Sequence, residues 1–194
     1  MTIVYIILIL VQVGVIIYFV RRGRRQKSLQ ASTATSADVS TYEGLRNLAL
    51  LITPSQLKLT IPATETFVYG VVMDCNVGDA VVTLSAYITG AVSMCFSSGG
   101  GKTGGGMTPE VAETAVDFVT TAQDYLGRAI HVTTTEVPPT GCARFYLLTN
   151  HGVFVAQEQL VFLENNSSPW LPLFEKGNEV VNLMHGSGNG VAAH

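Results

Sequence analysis

Residues 97–106 contain the residue types of a phosphate-binding loop. Their sequence is SSGGGKTGGG, in which two glycine triplets flank a lysine and a threonine. In loops of this kind the glycine amides bind phosphate, the lysine neutralises it, and the threonine hydroxyl holds magnesium. The candidate ligand-binding residues are therefore Gly99, Gly100, Gly101, Lys102, Thr103, Gly104, Gly105 and Gly106.

This loop matches the P-loop of nucleotide-binding proteins only in part. The pattern GxxxxGK[ST] requires glycine at position 96, where Phe96 stands, and three glycines separate Thr103 from the helix start at Thr108-Pro109. Two other interpretations remain open. The glycines permit a tight or flexible crossing from strand to helix, or their amides form a nest for an anion or peptide, with Lys102 as the contact.

The remaining reactive residue types form no local catalytic or metal motif. The four histidines are scattered without HExxH spacing, the three cysteines form no CxxC pair, and no G-x-S-x-G elbow occurs. A cysteine–histidine nucleophile pair that meets only in space stays open at this stage. We predict a protein with no metal and no cofactor that is not an enzyme. The odd, widely spaced cysteines favour buried thiols in a reducing compartment.

An uncharged apolar segment occupies residues 2–20, TIVYIILILVQVGVIIYFV. As a helix it would be roughly 28 Å long, close to the ~30 Å thickness of a bilayer's hydrocarbon core. We therefore predict one transmembrane helix. A membrane-facing basic cluster follows it, made of Arg21, Arg22, Arg24, Arg25 and Lys27.

The position of these charges predicts the topology. Basic loops remain on the cytoplasmic side, so the N-terminus is expected outside and the C-terminal domain in the cytoplasm of an inner-membrane, single-pass protein. A cleaved signal peptide would carry its charge before a shorter apolar segment, and a buried soluble helix would not need this length. Both alternatives are weaker than an uncleaved anchor.

The charge balance beyond the anchor indicates which partners the domain can have. Beyond residue 27 there are 6 cations and 14 anions, a net charge of −8. An acidic domain is repelled by an anionic leaflet, whereas the basic cluster is attracted to it. Nucleic-acid binding needs a basic face. We predict the lipid bilayer and a protein as partners, and no nucleic acid.

Four segments make up the predicted organisation. Residues 1–27 are the anchor with its basic cluster, 28–39 a flexible linker, 40–185 one α+β domain, and 186–194 a flexible tail. The linker SLQASTATSADV has almost no bulky apolar residue and would reach roughly 19 Å on average.

The predicted domain combines helices with antiparallel hairpins. A capping box at Ser40 and Glu43 opens a short helix that stops before Pro54. A second helix begins at Thr108-Pro109, and a third follows Trp170. Strands are expected at 66–74, 80–88, 91–97, 143–149 and 152–157. The predicted fold is thus α+β, with a five-stranded, largely antiparallel sheet in the order α-β-β-β-α-β-β-α, preceded by the transmembrane helix.

Several of these motifs resemble those of an uncharacterised family of small, mostly bacterial proteins. The shared features are Phe96-Ser97 at the end of a strand, the GGGxxGGG loop at 99–106, RFYLLT at 144–149 followed by Gly152-Val153, and PLFxxGxEVV at 172–181. The resemblance covers about three quarters of the chain. It implies a bacterial origin and a single domain, and it implies no activity. The anchor departs from the family's usual soluble form.

Two functions are predicted from these observations. The first is a non-catalytic, membrane-tethered interaction or accessory subunit that presents the acidic domain at the cytoplasmic face of a larger membrane complex. The alternative is a nucleotide- or phosphate-ligand-binding sensor that uses the glycine-rich loop.

Overall fold

The computed structural model describes residues 41–103 and 108–186, with the side chains of residues 102 and 103 excluded. The predicted transmembrane helix, its basic cluster and nearly all of the predicted linker and tail lie outside these ranges. No helix of the described residues is long and apolar enough to cross a membrane.

The described chain forms one antiparallel sheet with helices on both faces. Its elements, in chain order, are α1 (Tyr42–Leu51), β1 (Val68–Asn76), β2 (Val81–Tyr87), β3 (Val92–Phe96), β4 (Gly101–Thr103), α2 (Pro109–Gln123), a 3-10 turn (Leu126–Arg128), β5 (Ile130–Val132), β6 (Cys142–Thr149), β7 (Gly152–Gln159), α3 (Leu160–Glu164) and α4 (Leu171–Gly186). The strands lie in the order β4-β3-β2-β1-β6-β7-β5.

This topology corrects the predicted fold. The α+β content agrees with the prediction, but the sheet of the described residues has seven strands, not five. The predicted order lacked β4, β5 and the short helix α3. Both missed strands are three residues long and lie at the two edges of the sheet. Segments this short carry too few residues to show the alternation that identifies a strand.

One face of the sheet carries the larger core. The apolar stripe of α2, which includes Val111, Phe118 and Val119, is fully buried against this face. The helix α4 packs beside α2 with Leu173 and Val180 also buried. Thr108 caps α2 by accepting a hydrogen bond from the Val111 amide, as the sequence predicted.

The opposite face is covered by α1 and by residues 52–61, which follow it. Tyr69, Val72 and Tyr146 of the sheet pack there against Ala49 and Leu50 of α1. The N-cap of α1 is Thr41, whose hydroxyl accepts a hydrogen bond from the Gly44 amide. The predicted capping residue was Ser40, one position earlier, so the helix begins one residue later than expected.

Candidate functional site

The described part of the glycine-rich loop forms a β-hairpin. Gly99 and Gly100 have φ angles of +99° and +86°, which glycine adopts at no steric cost. The Gly99 amide donates to the Phe96 carbonyl at 2.9 Å, and the Phe96 amide donates to the Gly100 carbonyl at 3.1 Å. The Gly99 N–H is therefore used within the turn and does not point to a ligand.

The residues after this turn continue into the edge strand β4. Gly101, Lys102 and Thr103 pair with Cys95, Met94 and Ser93 of β3. Thr103 is separated from α2 by five residues, so Lys102 and Thr103 do not open that helix. Gly104, Gly105 and Gly106 lie outside the described residues, as do Arg21, Arg22, Arg24, Arg25 and Lys27.

A buried polar cluster attaches α1 to the centre of the sheet. Asp74 of β1 is fully buried, and Arg46 of α1 is 4% exposed. The Arg46 guanidinium donates through Nε to Asp74 Oδ2 at 2.8 Å and lies 2.6 Å from the same oxygen through a terminal nitrogen. Such an ion pair is tolerated in an interior only when both groups are well hydrogen-bonded.

Two hydroxyl groups complete this cluster. Thr83 Oγ1 donates to Asp74 Oδ1 at 2.5 Å, and Tyr42 Oη lies 3.0 Å from Thr83 Oγ1. Burial, followed by the charge of Asp74, raises the pKa of Tyr42 above its ordinary value. Tyr42 therefore stays protonated and donates to Thr83. The chain Tyr42–Thr83–Asp74–Arg46 is satisfied internally, as buried polar groups that hold a fold together usually are.

The same arginine also holds the connection between β5 and β6. We call residues 133–138 of this connection the strap. Arg46 Nη1 donates to the Thr135 carbonyl at 2.8 Å, and its guanidinium lies 5.5 Å from the centre of the Tyr146 ring. The Glu136 carbonyl accepts from Arg144 at 2.7 Å and from the Tyr146 hydroxyl. Arg46 thus links helix, sheet and strap.

The described cysteines are free and buried. Burial raises the pKa of Cys75 to about 12 and that of Cys95 to about 11, in both cases with a further contribution from the charge of Asp74. Since the thiolate is the nucleophile and metal ligand, burial disfavours the reactive form of these two thiols at neutral pH. No group of three or more histidine, cysteine or acidic side chains within residues 41–103 and 108–186 could hold a metal ion.

A cavity of about 520 Å³ opens beneath the strap at the β5 edge of the sheet. We call it the edge groove. Its size falls within the range of known ligand sites, roughly 300–1,000 Å³. It is lined by Arg128, Ile130, Val132, Thr134, Glu136, Arg144, Tyr146, Val155, Ala156, Gln157 and Trp170.

Two arginines give the edge groove its polar character. Arg144 Nε donates to the Gln157 side-chain oxygen at 2.8 Å, which holds its guanidinium along the groove. Arg128 is exposed, and its guanidinium lies 5.6 Å from the centre of the Tyr125 ring. Glu136 lies 4.0 Å from Arg144 as the acidic member of an ion pair, but its side chain is 77% exposed.

Aromatic and aliphatic side chains form the apolar part of the groove. Trp170 is 8% exposed and stacks on Phe145 with the ring centres 5.8 Å apart. Ile130 on β5 is 71% exposed and adds accessible apolar surface to the groove. The groove therefore combines cations with accessible apolar surface, as protein-binding sites commonly do.

The sequence did not indicate this groove. Trp170 has a buried ring that also lines the groove. Arg144 forms an ion pair with Glu136 at its rim.

The buried cluster could have been predicted from two charged residues at apolar positions of the sequence. Asp74 lies inside an apolar strand and Arg46 lies on the same helix face as Ala49 and Leu50, so each charge required a partner.

Comparison with known proteins adds no assignment to this geometry. No protein-family model matches the chain, and comparisons with curated proteins and with solved structures also give no match. The resemblance to a bacterial family therefore stays a prediction, and function is argued from the site itself.

Proposed function

We propose that this protein is a non-catalytic interaction or accessory subunit, tethered at the cytoplasmic face of a membrane and binding a protein partner there. One observation carries the proposal. The buried charged groups Arg46 and Asp74 hold α1, the sheet and the strap together, whereas Arg128, Arg144 and several apolar side chains line the edge groove. This arrangement supports a binding function better than a catalytic one.

The tethering part of this proposal rests on the sequence. The apolar segment 2–20 and the basic cluster 21–27 supply the attraction to the bilayer. The linker 28–39 ends just before Thr41, which caps α1. Because Arg46 fixes α1 to the sheet, the domain follows its attachment point, which the linker would hold on average roughly 20 Å from the basic cluster.

Purification of the full chain from its native membrane in a mild detergent tests this function. We expect the protein in a stable complex with at least one other protein, in constant ratio through size-exclusion chromatography. Removal of residues 1–27 should release the domain from the membrane fraction. A monodisperse monomer without any partner would contradict the proposal.

The alternative function, a nucleotide or phosphate sensor at the glycine-rich loop, has its own test. Because the Gly99 amide is used in the turn, we expect magnesium-ATP or inorganic phosphate at millimolar concentration to leave the melting temperature unchanged within about 1 °C. Stabilisation that disappears in the variant Lys102→Ala would instead establish the sensor.

A further inference from the structure

We propose that the edge groove binds an extended acidic peptide segment of the partner protein, which adds as a strand beside Gln157 of β7. This inference rests on the proposed function, because it names the chemistry of the partner that the domain would bind. Four observations support this inference: the free edge of β7, the charge of the groove, the side chains on the two faces of the sheet, and the length of the free edge.

The strand β7 extends beyond its outer neighbour. The register of β5 covers only Val153–Val155, opposite Val132–Ile130, whereas β7 continues to Gln159. Continued past β5, this register would place Ala129 opposite Ala156 and Arg128 opposite Gln157. Arg128, however, belongs to the 3-10 turn, and its amide donates to the Tyr125 carbonyl. Among the described residues, β6 pairs with the last four residues of β7 on their inner side, and no strand lies along their outer side.

The alternation of hydrogen bonds identifies which backbone groups face this free edge. Leu160 donates its amide hydrogen to the Gly141 carbonyl, so even-numbered positions of this segment point toward β6. The backbone N–H and C=O groups of Gln157 and Gln159 therefore point away from β6, toward the free edge. The Gln159 backbone N–H donates to the side-chain carboxylate of Glu158 at 2.8 Å. The backbone of Gln157 is therefore the position open to an added strand.

The local charge selects an acidic segment. Beyond residue 27 the chain has six cations, and two of them, Arg128 and Arg144, line the groove. Two others are engaged elsewhere, because Arg46 pairs with Asp74 and Lys176 pairs with Asp117. A groove with two cations and one acidic side chain in a domain of net negative charge attracts carboxylates.

The two faces of the sheet predict the side-chain pattern of the peptide. Cross-strand neighbours point to the same face, so the residue opposite Gln157 points toward Arg144 and is expected to be acidic. The residue opposite Ala156 points to the other face, where Trp170 lines the groove, and is expected to be apolar. Four residues of β7 span about 13 Å, so alternating acidic and apolar residues over this length would match the edge.

Binding of two matched peptides to the full chain in detergent tests the inference. The probe is a capped, fluorescent octapeptide of alternating glutamate and valine. Its control has the same sequence but N-methylated amides along one edge, which keeps the charge and removes the strand hydrogen bonds. At about 0.15 M salt we expect the probe to bind at least about tenfold more tightly than the control.

Charge variants locate the site. We expect Arg128→Gln and Arg144→Gln each to weaken binding about five- to tenfold, and Glu136→Gln to strengthen it about twofold. Arg128 and the Glu136 carboxylate are exposed, so those two variants keep the fold even if Arg144→Gln loosens the strap. Lys176→Gln removes the same unit of charge from α4 and should leave binding unchanged.

Three outcomes would overturn this inference. Equal binding of both peptides would show an electrostatic contact without strand addition, for instance at the basic cluster 21–27. Equal effects of Arg128→Gln and Lys176→Gln would place any binding outside the groove. If the peptide does not bind but the protein still purifies with a native partner, the strand-addition inference is wrong and the proposed function stands. If the peptide binds but the protein has no native partner, the proposed accessory function is wrong.

Discussion

The variant Asp74→Ala is expected to lose about 3–5 kcal/mol of unfolding free energy, the cost of breaking a buried ion pair from one side. Asp74 is fully buried and accepts from both Arg46 and Thr83. Its removal leaves the Arg46 guanidinium without its carboxylate in a low-dielectric interior. Because small domains are stable by only about 5–15 kcal/mol, this loss is a large share of the total.

Urea titration of the full chain in mild detergent, followed by circular dichroism, measures this loss. The double variant Arg46→Met with Asp74→Ala should be more stable than Asp74→Ala alone, because no uncompensated charge stays buried. The exposed pair of Lys176 and Asp117 gives the control, and Asp117→Ala is expected to change stability by less than about 1 kcal/mol. A loss below about 1 kcal/mol for Asp74→Ala would mean that α1 is not held by this contact.

The second large effect is expected for Phe145→Ala, at about 3–5 kcal/mol. Phe145 is fully buried on β6, and its ring stacks against Trp170. The truncation leaves a cavity beneath the wall of the edge groove. We therefore expect two results, a lower unfolding free energy and a displaced Trp170 ring.

The chain has a single tryptophan, so its fluorescence reports on this site directly. Phe145→Ala should shift the emission of the folded protein to longer wavelength as water reaches Trp170. Phe67→Ala is the control, because Phe67 is 38% exposed and should cost no more than about 1 kcal/mol without an emission shift. An unchanged spectrum for Phe145→Ala would show that Trp170 is held by other contacts, such as the Tyr125 ring.

The strongly periodic elements were predictable from the sequence. The stripe Val111, Ala115, Phe118 of α2 recurs at helical spacing after a clear capping residue, and all three are buried. The hairpin at Asn150-His151 was also predictable, since a glycine follows these two residues and can adopt a positive φ. The structure shows a φ of +113° at Gly152. Here local chemistry and tertiary packing favour the same structure.

The edge strands were not predictable because each is only three residues long and becomes a strand only by pairing with a neighbouring strand. β4 consists of Gly101, Lys102 and Thr103, whose composition is typical of a loop. It becomes a strand because the turn at Gly99-Gly100 returns it alongside β3. β5 likewise pairs with residues more than twenty positions later in the chain.

The edge groove was hidden for the same reason. Arg128, Arg144 and Trp170 are far apart in the sequence and meet only after β5, β6, β7 and α4 assemble. The glycine-rich loop, in contrast, is visible in the sequence because its residues are consecutive. A motif that is contiguous is easy to find, whereas a groove built from separate strands requires the register of the sheet.

Quantitative co-purification from native membranes would test most directly whether this protein works by holding a partner in its edge groove. We expect the wild-type chain and the variant Lys176→Gln to retain the same partner at the same ratio. The double variant Arg128→Gln with Arg144→Gln should stay in the membrane fraction and lose most of that partner. Full retention of the partner by the double variant, or a wild-type protein that purifies alone, would contradict this function.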